Sequence, residues 1–534
     1  MRSFITLVSL LGLCALPTLA QNPHHAIDPA LFPGITPAPN SYGTIATQSS
    51  ITDPRKPKKV KGNCGQPTVD LAIVKLPYVP VAGGPAHQGA VHVSLGGWSS
   101  SSTNFLVRFG EDYAPLFAGY DLLAIDYRGW GWSTPAFRCF ASEDERKQFA
   151  LSEPQLLGAD DAAYAAREKR AEEFAKKCKK NGEDVGRFMG TYSNAVDHHT
   201  VMRAENRTKM GFWGISSGPT WGRPLRKCTP RLSTSFSLTV GCLLLFTPSP
   251  ALCWDRICSQ AFAGPAPSSL AYTVTSAQPS QIKDAERGLD AFFYTCAAGK
   301  LLLCGVFNDD SRTPNPLQRP RDEAQDRPLS VTGTDKKFDW SALHTFLTTA
   351  IHGPGWFPVL GGVFSEVEAG AAGGWIGYVM TSGILAGVCT DEGRHLKGKD
   401  DFKSYFKSMT DAAPSVASIF SEWRLVCSKW KIDPINRIDD ASGGPVKTQG
   451  KFVVLNGIGD PASSVEGAKG VAARFSPSVL VKDLAAGHTS FTASSNCLFG
   501  VFYTFFVLGQ MPAEGTTCGD VFAPPFGVQL PSSF

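Results

Sequence analysis

Apolar runs of strand length alternate with amphipathic stretches along most of the chain. Runs bounded by glycine, proline or charged residues predict strands at 70–81, 90–95, 120–126, 209–215, 451–455 and 479–483. Apolar residues at helical spacing predict helices at 160–180, over much of 284–430, at 468–475 and at 497–508. Because strands alternate with helices, the pattern predicts an α/β fold with a doubly wound, mostly parallel sheet.

The composition is that of a globular chain, with 43% hydrophobic and 18% charged residues. The 534 residues suffice for one large α/β domain with an insertion, or for several smaller domains. A formal net charge of +4 is small for this length, so we expect no nucleic-acid partner. The uncharged stretch 369–388 contains six glycines, which favours a packed helical pair over a membrane span.

The N-terminus has the pattern of a secretory signal peptide over residues 1–20. Arg2 precedes a short apolar run, and small residues at Thr18 and Ala20 predict cleavage before Gln21. The run is too short to span a bilayer, so we expect no membrane association after cleavage. We therefore expect a secreted, extracellular protein whose cysteines meet an oxidising environment. Residues 21–63 are rich in proline, serine and threonine, which predicts an extended leader.

The strongest candidate chemistry is a serine in Gly214–Gly218, which fits the pattern G-x-S-x-G after an apolar strand. That pattern places Ser216 on a sharp strand-to-helix turn above a parallel sheet, although a glycine–serine surface loop is the alternative. Asp460 and His488 each follow a later predicted strand, which gives the order Ser, Asp, His of α/β hydrolases. The competing pair His198–His199 does not follow a strand.

These three residue types suit acyl transfer, because histidine acts as a base near neutral pH and aspartate orients it. Gly96 and Gly97 lie in a loop after the strand at 90–95, where backbone N–H groups could approach a developing oxyanion; a flexible surface loop is the alternative. The sequence contains no metal-ligand spacing and no phosphate loop, so we predict neither a metal nor a cofactor.

Four stretches resemble a known family: Y-D-L-L-A-I-D-Y-R-G-W-G-W-S-T-P (120–135), F-W-G-I-S-S-G (212–218), D-A-E-R-G-L-D-A-F-F-Y-T-C (284–296) and A-G-H-T-S-F onward to Cys518. Together they are similar to secreted α/β-hydrolase serine peptidases of the tripeptidyl and prolyl aminopeptidase type, with their C-terminal module. The resemblance covers most of residues 64–526. It implies an α/β-hydrolase core at 64–283 and 431–534, interrupted by a helical cap at 284–430.

The resemblance also implies roles for the site residues. Ser216 would be the nucleophile, Asp460 the orienting acid and His488 the general base, while N–H groups of Ser217, Gly96 and Gly97 would form the oxyanion hole. The substrate would be a peptide, from which short N-terminal peptides or residues are released through an acyl-enzyme. The sequence makes no prediction of oligomeric state.

The resemblance implies four disulfides: Cys139–Cys178, Cys296–Cys304, Cys389–Cys427 and Cys497–Cys518. A separate pattern, Asn206-Arg207-Thr208, is an N-glycosylation sequon.

Two departures from the family keep other interpretations open. Trp98 and serines replace prolines and glycines of the family's oxyanion loop, and residues 219–269 have no helical period where a helix should follow the serine. We interpret 219–269 as aberrant: Pro219 to Thr239 in a shifted reading frame can encode a family-like helix and strand. The alternatives to an exopeptidase are an esterase or lipase on the same fold, or a catalytically impaired hydrolase-like protein.

Overall fold

The computed structural model describes residues 44–47, 69–96, 101–152, 156–158, 160–207, 210–216, 237–239, 242–245, 279–299, 328–330, 337–368, 382–391, 396–435, 446–490, 492–519, 521 and 524–531. The described strands are β1 (Thr44–Thr47), β2 (Val69–Leu76), β3 (Gly89–Ser94), β4 (Tyr120–Ile125), β5 (Gly211–Gly214), β6 (Ser237–Thr239), β7 (Cys242–Leu245), β8 (Leu329–Ser330), β9 (Lys337–Phe338), β10 (Val446–Gly459), β11 (Phe475–Ala486) and β12 (Thr517–Cys518).

The described helices follow the same chain order. They are α1 (Ser102–Tyr113), α2 (Glu143–Leu151), α3 (Asp161–Gly186), α4 (Thr191–Ala204), α5 (Pro279–Ile282), α6 (Ala285–Gly299), α7 (Trp340–Ala350), α8 (Phe357–Glu368), α9 (Ser382–Asp391), α10 (Lys399–Ala412), α11 (Ala417–Lys429), α12 (Val465–Arg474) and α13 (Asn496–Phe506). Short 3₁₀ turns lie at Ala114–Phe117, Pro354–Trp356 and Pro525–Gly527.

Ten of these strands form one sheet in the order β1-β2-β4-β3-β5-β6-β7-β10-β11-β12. The neighbours β4, β3 and β5 are parallel, as are β10, β11 and β12 at the other side. The edge strand β1, its neighbour β2 and the inserted β7 run antiparallel to their neighbours. The sheet is therefore mixed, with parallel strands on both sides of β6 and β7, and the carboxyl ends of these parallel strands meet along one edge.

Neighbouring residues of a strand point to opposite faces of the sheet. Apolar side chains therefore lie on both faces, and helices cover both of them. Trp213 on β5 packs with Phe117 and Phe502 on the face that carries α1 and α13. Phe212, the preceding residue, packs with Met202 and Val454 on the face that carries α4 and α12. Burial on both faces explains why these strands read as continuous apolar runs in the sequence.

A separate apolar cluster joins the helices α3, α6, α7, α8, α10 and α11 into a second, helical body. Phe174 of α3 belongs to this cluster together with Phe292, Leu347 and Phe420 from residues beyond 284. Arg167 of α3 also donates to Glu422 of α11 at 2.8 Å. The helical body thus draws on α3, which precedes β5, as well as on the segment 284–430.

Several predicted elements have different ends in the structure. The strand predicted at 70–81 ends at Leu76, because Pro77 and Pro80 lack the N–H groups that a sheet needs. The helix predicted at 160–180 continues to Gly186, and the strand predicted at 451–455 spans Val446–Gly459. Within the described residues, no helix is both long and apolar enough to cross a bilayer.

Some predictions fall outside the described residues. These are the signal peptide 1–20, the leader apart from β1, Gly97, Ser217, Cys304 and residues 369–381. Of the segment 219–269, the structure describes β6 and β7, which extend the sheet between β5 and β10. The interpretation of that segment as aberrant stays a prediction, as does the division of the chain into domains.

Candidate active site

Ser216 lies two residues beyond the end of β5, at the carboxyl edge of the sheet. The strand is held in line by the N–H of Ile215, which donates to the carbonyl of Ser94 at 2.9 Å. Ser216 then turns sharply, with a φ of 58° in the left-handed region that non-glycine residues rarely adopt. A strained serine at the end of a central parallel strand has the geometry of a nucleophile elbow.

His488 reaches this serine from the loop after β11. Its Nε2 lies 2.6 Å from the Ser216 Oγ, so the hydroxyl can donate to the ring. The preceding residue, Gly487, has a φ of +110°, and a Cβ there would lie 2.6 Å from the Pro354 Cδ. Glycine is required at 487 for both reasons, which explains the Gly-His pattern in the sequence.

Asp460 immediately follows β10 and is fully buried. Its Oδ1 lies 2.8 Å from the Nδ1 of His488. The backbone N–H groups of Ala462, Ser463 and Thr489 also donate to this carboxylate, at 2.9, 2.8 and 2.8 Å. Because these donors hold the carboxylate as an acceptor, they place the proton of His488 on Nδ1 and leave Nε2 to accept from the serine.

The loop that carries Asp460 is braced by the helix α6. Gly288 packs so closely against this loop that a Cβ would lie 2.7 Å from the carbonyl oxygen of Gly459. Asp284, just before α6, accepts from the N–H of Val465 at 2.8 Å and so satisfies one of the free N–H groups at the start of α12. Burial raises the pKa of Asp284. These contacts give a structural reason for the D-A-E-R-G motif.

On the oxyanion side, the structure describes Gly96 but not Gly97 or Ser217. The base of the loop is closed by the N–H of Leu95, which donates to the Ser102 Oγ at 3.0 Å. Asp126 fixes the residues that follow, because its carboxylate accepts from the Thr103 N–H and from the Ser101 hydroxyl, both at 3.0 Å. The start of α1 is therefore tied to the end of β4.

The remaining predicted residues are the disulfide cysteines and the sequon residue Asn206. The structure has disulfides between Cys139 and Cys178, Cys389 and Cys427, and Cys497 and Cys518, all of which the family resemblance implied. Cys296 is buried in the helical body, and its expected partner Cys304 lies outside the described residues. Asn206 is exposed in a turn after α4, and its glycosylation stays a prediction.

The competing histidines, His198 and His199, are not part of the site. The Nδ1 of His198 lies 3.1 Å from the Nδ1 of His92, and both rings are fully enclosed by the protein. Burial lowers the pKa of His92, and it lowers the pKa of His198 to about 3. Both imidazoles therefore stay neutral in the folded protein. In the described part of the chain, no cluster of three or more His, Cys, Asp or Glu side chains could hold a metal ion.

Sequence reasoning did not single out three residues near the site: Asp126, Asp284 and His352. Asp126 and Asp284 lie within quoted family stretches, so a motif was available to find them. His352 contacts the site mainly through its backbone carbonyl, and no sequence pattern signals such a contact.

Comparison with known protein families gives a match for the C-terminal part of the chain. Residues 413–518, which include Asp460 and His488, match the family model of TAP-like proteins (an α/β-hydrolase family). A search of curated proteins finds no match.

Three solved structures illustrate the structural neighbours. A hydrolase from Pseudomonas aeruginosa PA01 is 12% identical, covers 85% of this chain and 100% of its own, and has a TM-score of 0.31. An esterase from Exiguobacterium antarcticum is 10% identical, with coverage of 79% and 90% and a TM-score of 0.27. The juvenile hormone epoxide hydrolase from the silkworm Bombyx mori is 11% identical, with coverage of 82% and 71% and a TM-score of 0.29.

These TM-scores are too low for the neighbours to support an argument about this chain. The arrangement of the described elements carries more weight, since it puts a serine, an aspartate and a histidine at the carboxyl ends of strands in one sheet. Together with the family match, it supports an α/β hydrolase.

Proposed function

We propose that this protein is a serine hydrolase that acts through Ser216, His488 and Asp460. The observation that carries the proposal is the continuous chain of hydrogen bonds from the Ser216 Oγ through both ring nitrogens of His488 to the Asp460 carboxylate, at 2.6 and 2.8 Å. Distances of this size allow proton transfer without a large rearrangement.

In the proposed reaction, the Ser216 Oγ attacks the carbonyl carbon of the substrate while His488 Nε2 takes the hydroxyl proton. The new C–O bond gives a tetrahedral intermediate, whose collapse breaks the bond to the leaving group as His488 protonates it. Water then attacks the acyl-enzyme by the same route and releases the acid. Asp460 stabilises the imidazolium throughout, because its buried carboxylate is already oriented by three backbone donors.

We further propose that the substrate is a peptide cleaved near its N-terminus. The family match over residues 413–518 and the family-like stretches at 120–135 and 284–296 support this choice. The helical body supplies a reason for selectivity, since the 3₁₀ turn Pro354–Trp356 lies beside the loop that carries His488. A helical body next to the site would limit access by the middle of a long chain.

Active-site labelling tests the nucleophile. We expect a fluorophosphonate to label the secreted wild-type protein, and peptide mapping to place the adduct on Ser216. The variant S216A should not be labelled, whereas S478A, which removes a hydroxyl near the start of β11 that donates to the carbonyl of Ala472, should be labelled normally. An unlabelled wild type, or an adduct on another serine, would contradict the proposal.

Substrate comparison tests the peptidase assignment. We expect fluorogenic di- and tripeptidyl amides with a free N-terminal amine to be hydrolysed, and their N-acetylated forms to be hydrolysed much more slowly. Turnover of p-nitrophenyl esters without any amide hydrolysis would favour the esterase interpretation instead. Specific labelling of Ser216 without turnover of either class would favour an impaired hydrolase.

A further inference from the structure

A turn of the helical body is fastened directly to the loop that carries His488. The backbone N–H of His488 donates to the carbonyl oxygen of His352 at 2.6 Å. The next residues of the turn close over the same loop, because a Cβ on Gly487 would lie 2.6 Å from the Pro354 Cδ and 3.2 Å from the His352 oxygen. The position of the His488 backbone therefore depends on the residues just after α7.

The side chain of His352 in turn fixes that carbonyl. Its Nδ1–H donates to the carbonyl of Thr348 at 2.6 Å, which satisfies one of the free carbonyls at the C-terminal end of α7. One face of the ring stacks near Phe420 of α11, with 6.2 Å between ring centroids. The ring is thus held between α7 and α11, which leaves the backbone of His352 little freedom to rotate.

The same ring also contacts the imidazole of His488. The two ring centroids are 5.5 Å apart and the planes meet at 72°, an edge-to-face arrangement. Burial, together with the neighbouring His488, lowers the pKa of His352 to about 4. At neutral pH, His352 therefore limits the movement of the His488 ring without placing a second positive charge beside it.

We propose that His352 is a positioning residue for His488: its imidazole bonds to Thr348, fixes the turn, and so holds both the backbone and the ring of His488 in line with Ser216. This inference rests on the proposed function. It also gives the helical body a role in catalysis, because the base is held in place by α7 and α11 as well as by the sheet.

Two substitutions separate the hydrogen bond from the bulk of the side chain. H352L keeps apolar contact with Phe420 but removes the donor to Thr348, whereas H352N keeps a donor near the position of Nδ1. We expect H352L to lower kcat by about 10- to 100-fold with KM nearly unchanged, because small displacements of a catalytic group have effects of this size. H352N should recover most of the loss.

A spectroscopic measurement tests the positioning without relying on turnover. The proton between His488 Nδ1 and Asp460 should give a low-field NMR signal that is absent from H488Q. We expect this signal to shift or broaden in H352L and to return in H352N. A merely structural role would instead lower the melting temperature of H352L and leave both the signal and kcat of the folded protein unchanged.

The outcomes distinguish the two proposals. If the wild type is active and H352L retains kcat within about twofold, positioning by His352 is wrong and the proposed function stands. If the wild type neither reacts with a fluorophosphonate nor hydrolyses esters or amides, the proposed function is wrong and this role for His352 falls with it. An unchanged His488 signal in H352L would also overturn the inference.

Discussion

Asp126 and Asp460 occupy similar places in the fold but have different partners. Each is fully buried, and each directly follows a strand of the same sheet, β4 for Asp126 and β10 for Asp460. In the sequence both appear as an aspartate that ends an apolar run. Only Asp460 contacts a histidine, so the position after a strand does not by itself identify the acid of the site.

The hydrogen-bond partners account for the difference. Asp126 accepts from the Thr103 N–H and hydroxyl, the Ser101 hydroxyl and the Trp132 N–H, at 3.0, 2.8, 3.0 and 3.0 Å. These neutral donors do not fully offset burial, which raises the pKa of Asp126. Asp460 accepts from three backbone donors and keeps one side for His488. One carboxylate therefore organises a loop and the other holds a histidine ring.

The largest expected effect comes from D460N. An amide cannot hold His488 in the tautomer that presents a free Nε2 to Ser216, so we expect kcat to fall by about 10⁴-fold, the size of effect known for this change in a serine triad. Steady-state kinetics on a peptidyl amide measure the loss. D411N, which alters an exposed carboxylate paired with Lys407, is the matched control and should leave kcat unchanged. Comparable activity in D460N would remove Asp460 from the proposed mechanism.

D126N should act mainly on stability. The side-chain amide would turn an N–H₂ group toward donors that now bond to a carboxylate, and each buried donor left unpaired costs about 1–3 kcal/mol. We expect the free energy of unfolding to fall by about 2–3 kcal/mol, measured by urea unfolding, with a much smaller change in kcat than in D460N. If D126N lost activity as completely as D460N while remaining stable, the contrast between the two aspartates would fail.

Acid should destabilise the protein through histidines that lie outside the site. His92 and His198 are neutral in the folded state because burial lowers the pKa of each, whereas in the unfolded chain they titrate near 6.5. Below pH 6.5 the unfolded state therefore binds protons that the folded state does not. We expect His198 to reduce the free energy of unfolding by about 1.4 kcal/mol per pH unit between roughly pH 6 and 4, and His92 to act in the same direction.

Urea unfolding at several pH values checks this expectation. The matched variant is H198N, which keeps a polar atom near His92 but does not titrate. Its stability should depend less steeply on pH by the contribution of one histidine. The same steep dependence in H198N and the wild type would show that these buried rings do not cause the acid sensitivity.

The smallest expected effect is that of G288A. The added methyl group would press on the carbonyl of Gly459, which precedes Asp460, so we expect kcat to fall by a few-fold and the melting temperature to fall as the backbone shifts to make room. G362A is the matched control, because Gly362 lies in α8 and a Cβ there meets no atom within 4 Å. It should leave kcat unchanged and stabilise the helix slightly. Equal kinetics for both variants would mean that Gly288 does not support Asp460.

The sequence could predict the parts of the molecule that depend on local pattern. Strand runs and turn glycines located Ser216, Asp460 and His488, and the structure brings these three side chains together. The sequence could not predict the partners of Asp126, which come from α1 and from a turn, because Asp126 and Asp460 look alike along the chain. The catalytic roles themselves stay proposals.

Other features depended on contacts between distant segments. The amphipathic pattern of α3 predicted a helix but not that it packs on α11, which begins more than two hundred residues later, through Arg167 and Glu422. The hydrogen bond between His352 and His488 is made by a backbone carbonyl, which every residue possesses. Such contacts follow from the path of the chain, and no residue type reveals them in advance.

The separation of Ser216 and His488 along the chain has a consequence for biosynthesis. The two residues are 272 positions apart, so a nascent chain that already contains the proposed nucleophile still lacks the proposed base. At a synthesis rate of about 5–20 residues per second, this interval lasts roughly 14 to 54 seconds. Under the proposed mechanism, the protein cannot hydrolyse anything inside the producing cell until translation has passed residue 488. The order of the chain itself would then delay activity until His488 has been synthesised.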